Sequence, residues 1–321
     1  MNNFKKIGLT ALAGSLVATS VYAGEMSVSG SASWRISNHA GTDGGKTMAM
    51  GNQLTFTGSG EMDNGMNVAL SFILDQGDNT VDAEAATTAA ATGGPFDSHS
   101  ITISSDGMGS VVFAGEGASS AQNTIDTTAA GDIWDNTFAT YTQPTNASAG
   151  TKTLTWTLPS MVDGLGVTTS YTGSGTDAEA TIGYALTYTG VEGLSVSYGV
   201  GEVAGKTDGS TGADVTTMKA SFAFGPVTAA MSINDYDITS ASNEEQSSYK
   251  VSYTVSDELS VSYGSETHET TGQSYDEEFE QISVSYTTGG LTASVSQTDA
   301  TNASASGDEQ EKWNVGLSFA F

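Results

Sequence analysis

Cysteine is absent from the 321 residues, basic side chains are scarce, and no long apolar run exists. Without cysteine, a disulfide framework or a cysteine-ligated metal site is impossible. Nine basic side chains against 37 acidic ones give a formal charge of −28. This charge excludes nucleic-acid binding, because phosphate recognition needs Lys and Arg. No stretch of about 20 apolar residues is present, so the sequence contains no ordinary transmembrane helix.

The first 23 residues have the pattern of an export signal. Lys5 and Lys6 form a basic start, a short apolar segment follows at 7–18, and a Val-Tyr-Ala sequence ends at Ala23. The apolar segment is too short to span a bilayer comfortably, and small residues before the junction are typical of a cleaved signal peptide. We therefore predict cleavage after Ala23 and a single exported domain over 24–321.

Apolar and polar residues alternate with period two through the rest of the chain. The last segment shows the rule, because aromatic and aliphatic residues occupy every second position and small or polar ones lie between: Trp313, Val315, Leu317, Phe319 and Phe321. Such alternation predicts β-strands with one apolar face. It recurs in sixteen segments: 25–37, 50–62, 66–76, 98–105, 110–116, 151–158, 166–172, 180–189, 194–202, 216–224, 227–235, 247–255, 259–267, 279–287, 291–298 and 310–321.

The connections and the charge distribution favour a membrane barrel. Tight turns rich in Gly, Asp and Asn alternate with long polar connections, as in an up-and-down antiparallel barrel with an even number of strands. The acidic residues fall in loops and strand ends, while strand centres carry Ser, Thr and Gly opposite the apolar face. We predict an all-β, 16-stranded antiparallel transmembrane β-barrel. The alternative is a secreted or surface-attached acidic β-sandwich, such as an adhesin.

The signal peptide, the sixteen alternating segments, an overlong third loop and the terminal Phe321 together resemble the Gram-negative general porins, and the composition is closest to those of alphaproteobacteria. This resemblance implies a homotrimer of water-filled channels in the bacterial outer membrane, passing small hydrophilic solutes by passive diffusion. It further implies that the third loop folds inward, and that the barrel-assembly machinery recognises the C-terminal strand ending in Phe321. The resemblance implies no enzymatic activity and no required cofactor.

The third long connection, residues 116–150, is the predicted constriction loop. A sixteen-stranded barrel is too wide for its own side chains to fill, so a loop that enters it sets the diameter of the channel. We expect Trp134 and Phe138 to anchor the loop against the wall. Four carboxylates would line one side of the constriction: Glu116, Asp126, Asp132 and Asp135. The alternative is an external loop with hydrated charges.

Four cations point into the predicted lumen according to the alternation, namely Arg35, Lys219, Lys250 and Lys312. Loop acids facing wall cations would create a transverse field that orders water and screens solutes. The porin resemblance implies a wall cluster richer in Arg than this one. A weaker field and an acidic channel mouth predict a mild preference for cations. The alternative for each lysine is that it is a charge at the rim that only aids solubility.

Two further groups of residues have side chains that could bind metal or take part in catalysis. Glu280 and Glu311 have lipid-facing parity at the long-loop rim, where carboxylates could bind Ca²⁺ or Mg²⁺ and bridge to outer-membrane lipid; ordinary hydration is the alternative. The three histidines, His39, His99 and His268, accompany no nucleophile motif between a strand and a helix. We therefore predict no catalytic residues.

Overall fold

The computed structural model describes residues 24–38, 46–75, 98–135, 144–147, 152–173, 180–203, 212–238, 243–303 and 308–321. The predicted signal peptide, His39 and Phe138 lie outside these residues. Among the residues described, no helix combines the length and the apolar character needed to cross a membrane.

The described part of the chain contains sixteen strands. In chain order they are β1 (Met26–Asn38), β2 (Lys46–Glu61), β3 (Asn67–Asp75), β4 (Ser98–Ser105), β5 (Gly109–Glu116), β6 (Thr153–Thr157), β7 (Leu165–Thr172), β8 (Thr181–Val191), β9 (Leu194–Val203), β10 (Ala213–Phe224), β11 (Val227–Ile238), β12 (Glu244–Thr254), β13 (Leu259–Thr270), β14 (Glu277–Thr288), β15 (Leu291–Ala303) and β16 (Asp308–Ala320). Two short 3₁₀ helices, Gln122–Thr124 and Ile133–Asp135, lie between β5 and β6.

The strands form one closed antiparallel barrel in which each strand pairs with its neighbours in sequence and β1 pairs with β16. The closing ladder runs from Ser31 opposite Ala320 to Ser37 opposite Asn314. Phe321 completes it, because its amide donates to the Gly30 carbonyl and its carbonyl accepts from the Gly30 amide. The predicted strand number and barrel are confirmed, and the β-sandwich alternative is wrong because a single closed sheet contains all sixteen strands of the described residues.

The strand bounds differ from the prediction mainly at the long-loop end. β2 begins at Lys46 instead of 50, and β15 continues to Ala303 instead of 298. The connection between β15 and β16 is therefore only four residues long, and not the long loop that was expected. Apolar alternation marks the part of a strand that faces lipid, whereas the β15 extension carries polar residues on both faces and the alternation fades there.

The barrel is apolar outside and polar inside. Cross-strand register assigns large apolar residues to the outer face, and many are half exposed, for example Tyr184 (54%), Met231 (54%) and Val295 (53%). The inner face carries hydroxyls, amides and charges, and Thr217 and Thr298 there are completely buried. This inversion of the usual soluble pattern is expected when lipid surrounds the outer face and a polar interior lies within.

Tight turns close the end of the barrel where β1 begins and β16 ends. The turn between β8 and β9 is only two residues, Glu192 and Gly193, and Gly193 has a φ of 75° that a residue with a side chain adopts at a cost. A Cβ at Gly193 would also meet the Ala223 carbonyl oxygen at 2.4 Å. Glycine is therefore required at this turn by conformation and by space.

Candidate functional site

The third loop, residues 117–152 between β5 and β6, folds into the barrel, and its residues 119–134 and 145–147 contact the inner wall. Serine hydroxyls on the inner wall hold its backbone. Ser170 Oγ accepts a hydrogen bond from the Ala121 amide at 2.7 Å, and Ser248 Oγ accepts from the amides of Ala129 and Ala130 at 3.0 and 2.9 Å. A hydroxyl oxygen has two acceptor lone pairs, so Ser248 satisfies two loop amides at once. The inward fold predicted for this loop is thus observed.

Gln122 is the central anchor of the third loop, and its side chain is fully buried. Its amide nitrogen donates to Asn146 Oδ1 at 3.1 Å and to Thr217 Oγ1 at 2.6 Å. Its amide oxygen accepts from the Ala147 amide at 2.7 Å. One side chain therefore ties the outgoing and returning arms of the loop to each other and to β10.

An apolar contact secures the tip of the loop. Ile133 and Trp134 are buried with Ala130 against Phe279 on β14 and Ala300 on β15. The Trp134 amide also donates to the buried Glu266 carboxylate on β13 at 3.0 Å. The expected anchoring role of Trp134 is confirmed by these contacts, while Phe138 lies outside the described residues.

Glycine on the wall makes room for this tip. A Cβ at Gly264 on β13 would lie 2.9 Å from the Ala130 methyl and 3.2 Å from Ile133 Cδ1. Both distances are tighter than van der Waals contact allows, so any larger residue would push the loop away from the wall. The absence of a side chain at position 264 therefore allows the tip to dock closely.

The loop covers one side of the barrel interior and leaves the other side open. Its contacts follow the wall from Thr155 on β6 to Ala300 on β15. The remaining inner wall consists of β16 and β1 to β5, and serine and threonine hydroxyls predominate on the inner faces of β1 and β4. Among the described residues on the inner faces of β1 to β5, Arg35 is the only cation. The open lumen is therefore bounded by the loop on one side and by a hydroxyl-rich wall on the other.

A sequence model of Gram-negative porins matches residues 8–321. The chain belongs to the Gram-negative porin family. In keeping with that family and with the barrel, this porin is a diffusion channel of the outer membrane. Its family and fold are those of non-enzymatic channels.

Solved structures share the fold of this porin at low sequence identity. OmpF of Salmonella typhi, solved with daunomycin, aligns with a TM-score of 0.72 at 12% identity over 93% of this chain and 98% of its own. An anion-selective porin from Comamonas acidovorans aligns with a TM-score of 0.68 at 14% identity over 93% and 100%, respectively. A mutant of Rh. blastica porin aligns with a TM-score of 0.65 at 14% identity over 92% and 100%. No curated protein sequence matches the chain.

One predicted loop acid forms a direct ion pair with a predicted wall cation of the porin. Lys219 Nζ lies 2.7 Å from Asp126 Oδ2 and also donates to the Thr128 carbonyl at 2.8 Å. The Asp126 side chain is half exposed, so water screens the pair and it contributes at most about 1 kcal/mol. Charges in contact also cancel each other's field, and this pair therefore adds little to a transverse field across the lumen.

Asp132 stays at the surface of the loop and faces the lumen. Its Oδ1 accepts from Thr128 Oγ1 at 2.8 Å, and its backbone amide donates to the same hydroxyl at 2.8 Å. Its φ of 54° lies in the left-handed region, which aspartate and asparagine adopt more readily than most residues. Arg35 and Asp132 line the same luminal crevice.

The remaining predicted constriction residues are spread more widely. Lys250 lies on the inner face of β12, its Nζ 4.0 Å from the point where a Cβ on Gly131 would be. Lys312 is on the inner face of β16 and only 2% exposed. Glu116 is exposed at the end of β5, away from the tip of the loop, and Asp135 ends the second 3₁₀ helix. Among the described carboxylates of the predicted constriction, Asp126 contacts Lys219, and Asp132 shares a crevice with Arg35.

The possible cation site at the rim has little geometric support. Glu280 accepts from the Tyr263 hydroxyl at 2.8 Å, and Glu311 accepts from the Gln297 amide at 2.9 Å. The two carboxylates are on β14 and β16, with Asp299 of β15 between them in register. Within the described residues, no three His, Cys, Asp or Glu side chains converge as metal ligands. Calcium or magnesium binding there stays a prediction.

The two described histidines occupy different environments. His99 lies on the outer face of β4, whereas His268 is buried on the inner face of β13 between two carboxylates. Its ring nitrogens lie 3.8 Å from Glu244 and 3.6 Å from Glu277. Neither histidine hydrogen-bonds to a serine in the part of the chain described, which is the contact that a nucleophilic triad requires.

Three functional residues escaped the sequence analysis, namely Gln122, Ser248 and Glu266. Ser248 and Glu266 occupy positions of their strands that alternate with the apolar outer residues, as the predicted lumen cations do. The alternation could therefore have assigned them to the inner face. Their partners, however, are loop amides more than 100 residues away in the sequence. Nothing in the local sequence marks Gln122.

Proposed function

We propose that this porin passes small hydrophilic solutes and ions by passive diffusion with a mild cation preference. The observation that carries this proposal is the small number of wall cations left to act in the lumen, because Lys219 and Asp126 cancel each other's charge in their ion pair. Burial of Lys312 shields a second one. Arg35 remains the partly exposed cation of the open wall, in a protein with 37 acidic and nine basic residues. A channel with excess negative charge concentrates cations and repels anions.

Planar-bilayer recordings in a KCl gradient test this proposal. We expect single-channel steps and a reversal potential that favours K⁺. Replacing Asp126, Asp132 and Asp135 together by asparagine should move the reversal potential toward zero, because the loop then carries less negative charge. Replacing Arg35 and Lys312 by alanine should move it the other way.

Asp106 in the short turn between β4 and β5 provides a control for position, since Asp106→Asn removes one negative charge far from the loop. A protein that inserts without conducting would contradict the channel function. A reversal potential favouring Cl⁻, or one that the triple variant leaves unchanged, would contradict the cation preference.

We also propose that the porin assembles as a homotrimer in the outer membrane and is inserted by the barrel-assembly machinery. The exposed apolar outer face supports contact with lipid and with other copies. Phe321 pairs with Gly30 through its backbone while the residue is 73% exposed, so the terminal aromatic is accessible beside the closing seam.

The mass of the detergent-solubilised porin tests the assembly. Light scattering corrected for detergent should give three times the mass of the mature chain that begins at Gly24. Heating the sample should convert this species to the monomer on a gel. A monomeric mass before heating would contradict the trimer but would leave the proposed channel function unaffected.

A further inference from the structure

A groove of about 360 Å³ lies on the outer wall of the barrel between two aromatic side chains. Tyr263 of β13 forms one side and Trp313 of β16 the other, and outward-facing residues of β14 and β15 form the floor. The two aromatic residues belong to one row across the four strands, in register with Ile282 and Gln297. Adjacent strands are about 4.8 Å apart, so the aromatic residues are about 14 Å apart at the backbone, which leaves room between their side chains for an acyl chain.

The groove changes from apolar to acidic along its length. The row next to the aromatic one toward the short turns contains Val284 and Val295, whereas the row toward the long loops contains Glu280 and Asp299. Glu311 of β16 continues the acidic row beside Asp299. An apolar groove that ends in carboxylates at the rim of the barrel has the polarity of one lipid molecule, with the acyl chain toward the middle of the bilayer and the headgroup at its surface.

The carboxylates at the acidic end of the groove can accept further hydrogen bonds. Within the described residues, Asp299 is exposed and its side chain forms no hydrogen bond and no ion pair. Glu280 accepts from the Tyr263 hydroxyl, and Glu311 accepts from the Gln297 amide. An ionised carboxylate has about four acceptor positions, so each of the three can accept another donor. The described residues that line the groove include no lysine and no arginine, so this end of the groove lacks a positive partner from the protein.

We propose that this groove binds one lipid with an ammonium headgroup, of the phosphatidylethanolamine type. The ammonium group donates to the carboxylates of Glu280 and Asp299, and the rings of Tyr263 and Trp313 attract a cation over their faces. The side-chain amide of Gln297 has a second N–H, which is available to the lipid phosphate. The acyl chain covers the apolar floor.

The charge of the acidic row disfavours the other occupants of an outer groove. An anionic lipid headgroup is repelled by three adjacent carboxylates, and a second copy of the chain that docks here through the same face brings the same carboxylates with it. A divalent cation could bridge an anionic headgroup to the row, but within the described residues no three His, Cys, Asp or Glu side chains converge as metal ligands. A cationic headgroup needs no bridge.

Native mass spectrometry of the porin in a neutral maltoside detergent tests the site. The protein is titrated with phosphatidylethanolamine or with phosphatidylglycerol of the same acyl chains. One phosphatidylethanolamine per barrel should be retained at a concentration about three- to tenfold lower than phosphatidylglycerol requires. Glu280→Gln combined with Asp299→Asn should remove most of this difference. Trp313→Leu should weaken the retention of phosphatidylethanolamine and leave that of phosphatidylglycerol unchanged.

Asp235→Asn combined with Glu245→Gln is the matched control. These two carboxylates are also paired in register, on β11 and β12, and neither lines the groove. The control removes the same two charges from the long-loop end of the barrel, so it should leave the lipid preference unchanged. Single-channel conductance equal to that of the native porin shows that each variant has folded.

Each contrary result identifies a different error. Equal retention of the two lipids, or a preference that survives the loss of the Glu280 and Asp299 carboxylates, would overturn the proposal. If the control pair abolishes the preference as well, the net charge of the protein and not the groove selects the lipid. If added Ca²⁺ makes phosphatidylglycerol the more tightly retained lipid and Glu280→Gln with Asp299→Asn abolishes that retention, the row binds anionic lipid through a metal and the proposal is wrong. None of these results bears on the channel function, which the conductance measures separately.

Discussion

Replacing Val284 by lysine is expected to prevent the barrel from folding stably in a bilayer. Val284 lies on the outer face of β14, 40% exposed, between Val261 of β13 and Val295 of β15 in register. It is about midway between the acidic rim at Glu280 and the end of β14, which places it near the bilayer midplane. A lysine there costs about 2–4 kcal/mol, because hydrocarbon does not solvate an ammonium group.

Ser285→Lys is the matched control for this prediction. Ser285 is the next residue of the same strand but faces inward, beside Ser260 and Ser294. Its ammonium group would be hydrated in the lumen, so stability should change by less than about 1 kcal/mol. Denaturant titration of folding into lipid vesicles measures both variants. Equal stability of Val284→Lys and Ser285→Lys would contradict the assignment of the outer face to lipid.

Replacing Gln122 by leucine is expected to release the third loop from the wall and widen the channel. Leucine has a similar volume but no polar atoms, so the Thr217 hydroxyl loses a donor and the buried Ala147 amide loses its acceptor. Each buried group left without a partner costs about 1–3 kcal/mol. A loss of that size raises the population of the undocked loop by about 5- to 150-fold per group.

Single-channel conductance and the flux of neutral oligosaccharides of increasing length measure this release. Gln122→Leu should increase the mean conductance, its fluctuations and the largest sugar that passes. Asn123→Leu is the control, because it also replaces an amide side chain by leucine, but the Asn123 side chain forms no hydrogen bond in the described part of the chain. It should leave the conductance, its fluctuations and the sugar size limit unchanged. A folded Gln122→Leu porin with the native size limit would show that Gln122 does not hold the constriction.

Strand number, strand order and face assignment were predictable because the pattern that encodes them is local. In the last strand, Trp313 to Phe321 alternate with small or polar residues, and each such segment reports its own two faces without reference to the rest of the chain. The predicted end of β15 was too early, because residues Ala300 to Ala303 continue the strand beyond its lipid-facing part. No apolar face remains there to indicate a strand.

The candidate site was predictable only in part. The alternation placed Arg35, Lys219, Lys250 and Lys312 correctly on the inner face, and the resemblance to porins implied that the third loop enters the barrel. The alternation contains no information about the path of a loop inside the barrel. The sequence therefore grouped Glu116 with Asp126, although Glu116 ends β5, away from the loop tip. Roles of these residues in selectivity stay predictions for the bilayer experiments.

The sequence alone was sufficient to predict a β-barrel with apolar residues outside and hydroxyls inside, because period-two patterning is a property of neighbouring residues. Tertiary structure alone decided which charges cancel and which stay free. Lys219 and Asp126 are 93 positions apart, and Trp134 and Glu266 are 132 apart. Contacts over such separations arise from the curvature of the closed wall and the path of one loop across it, and no local pattern records either.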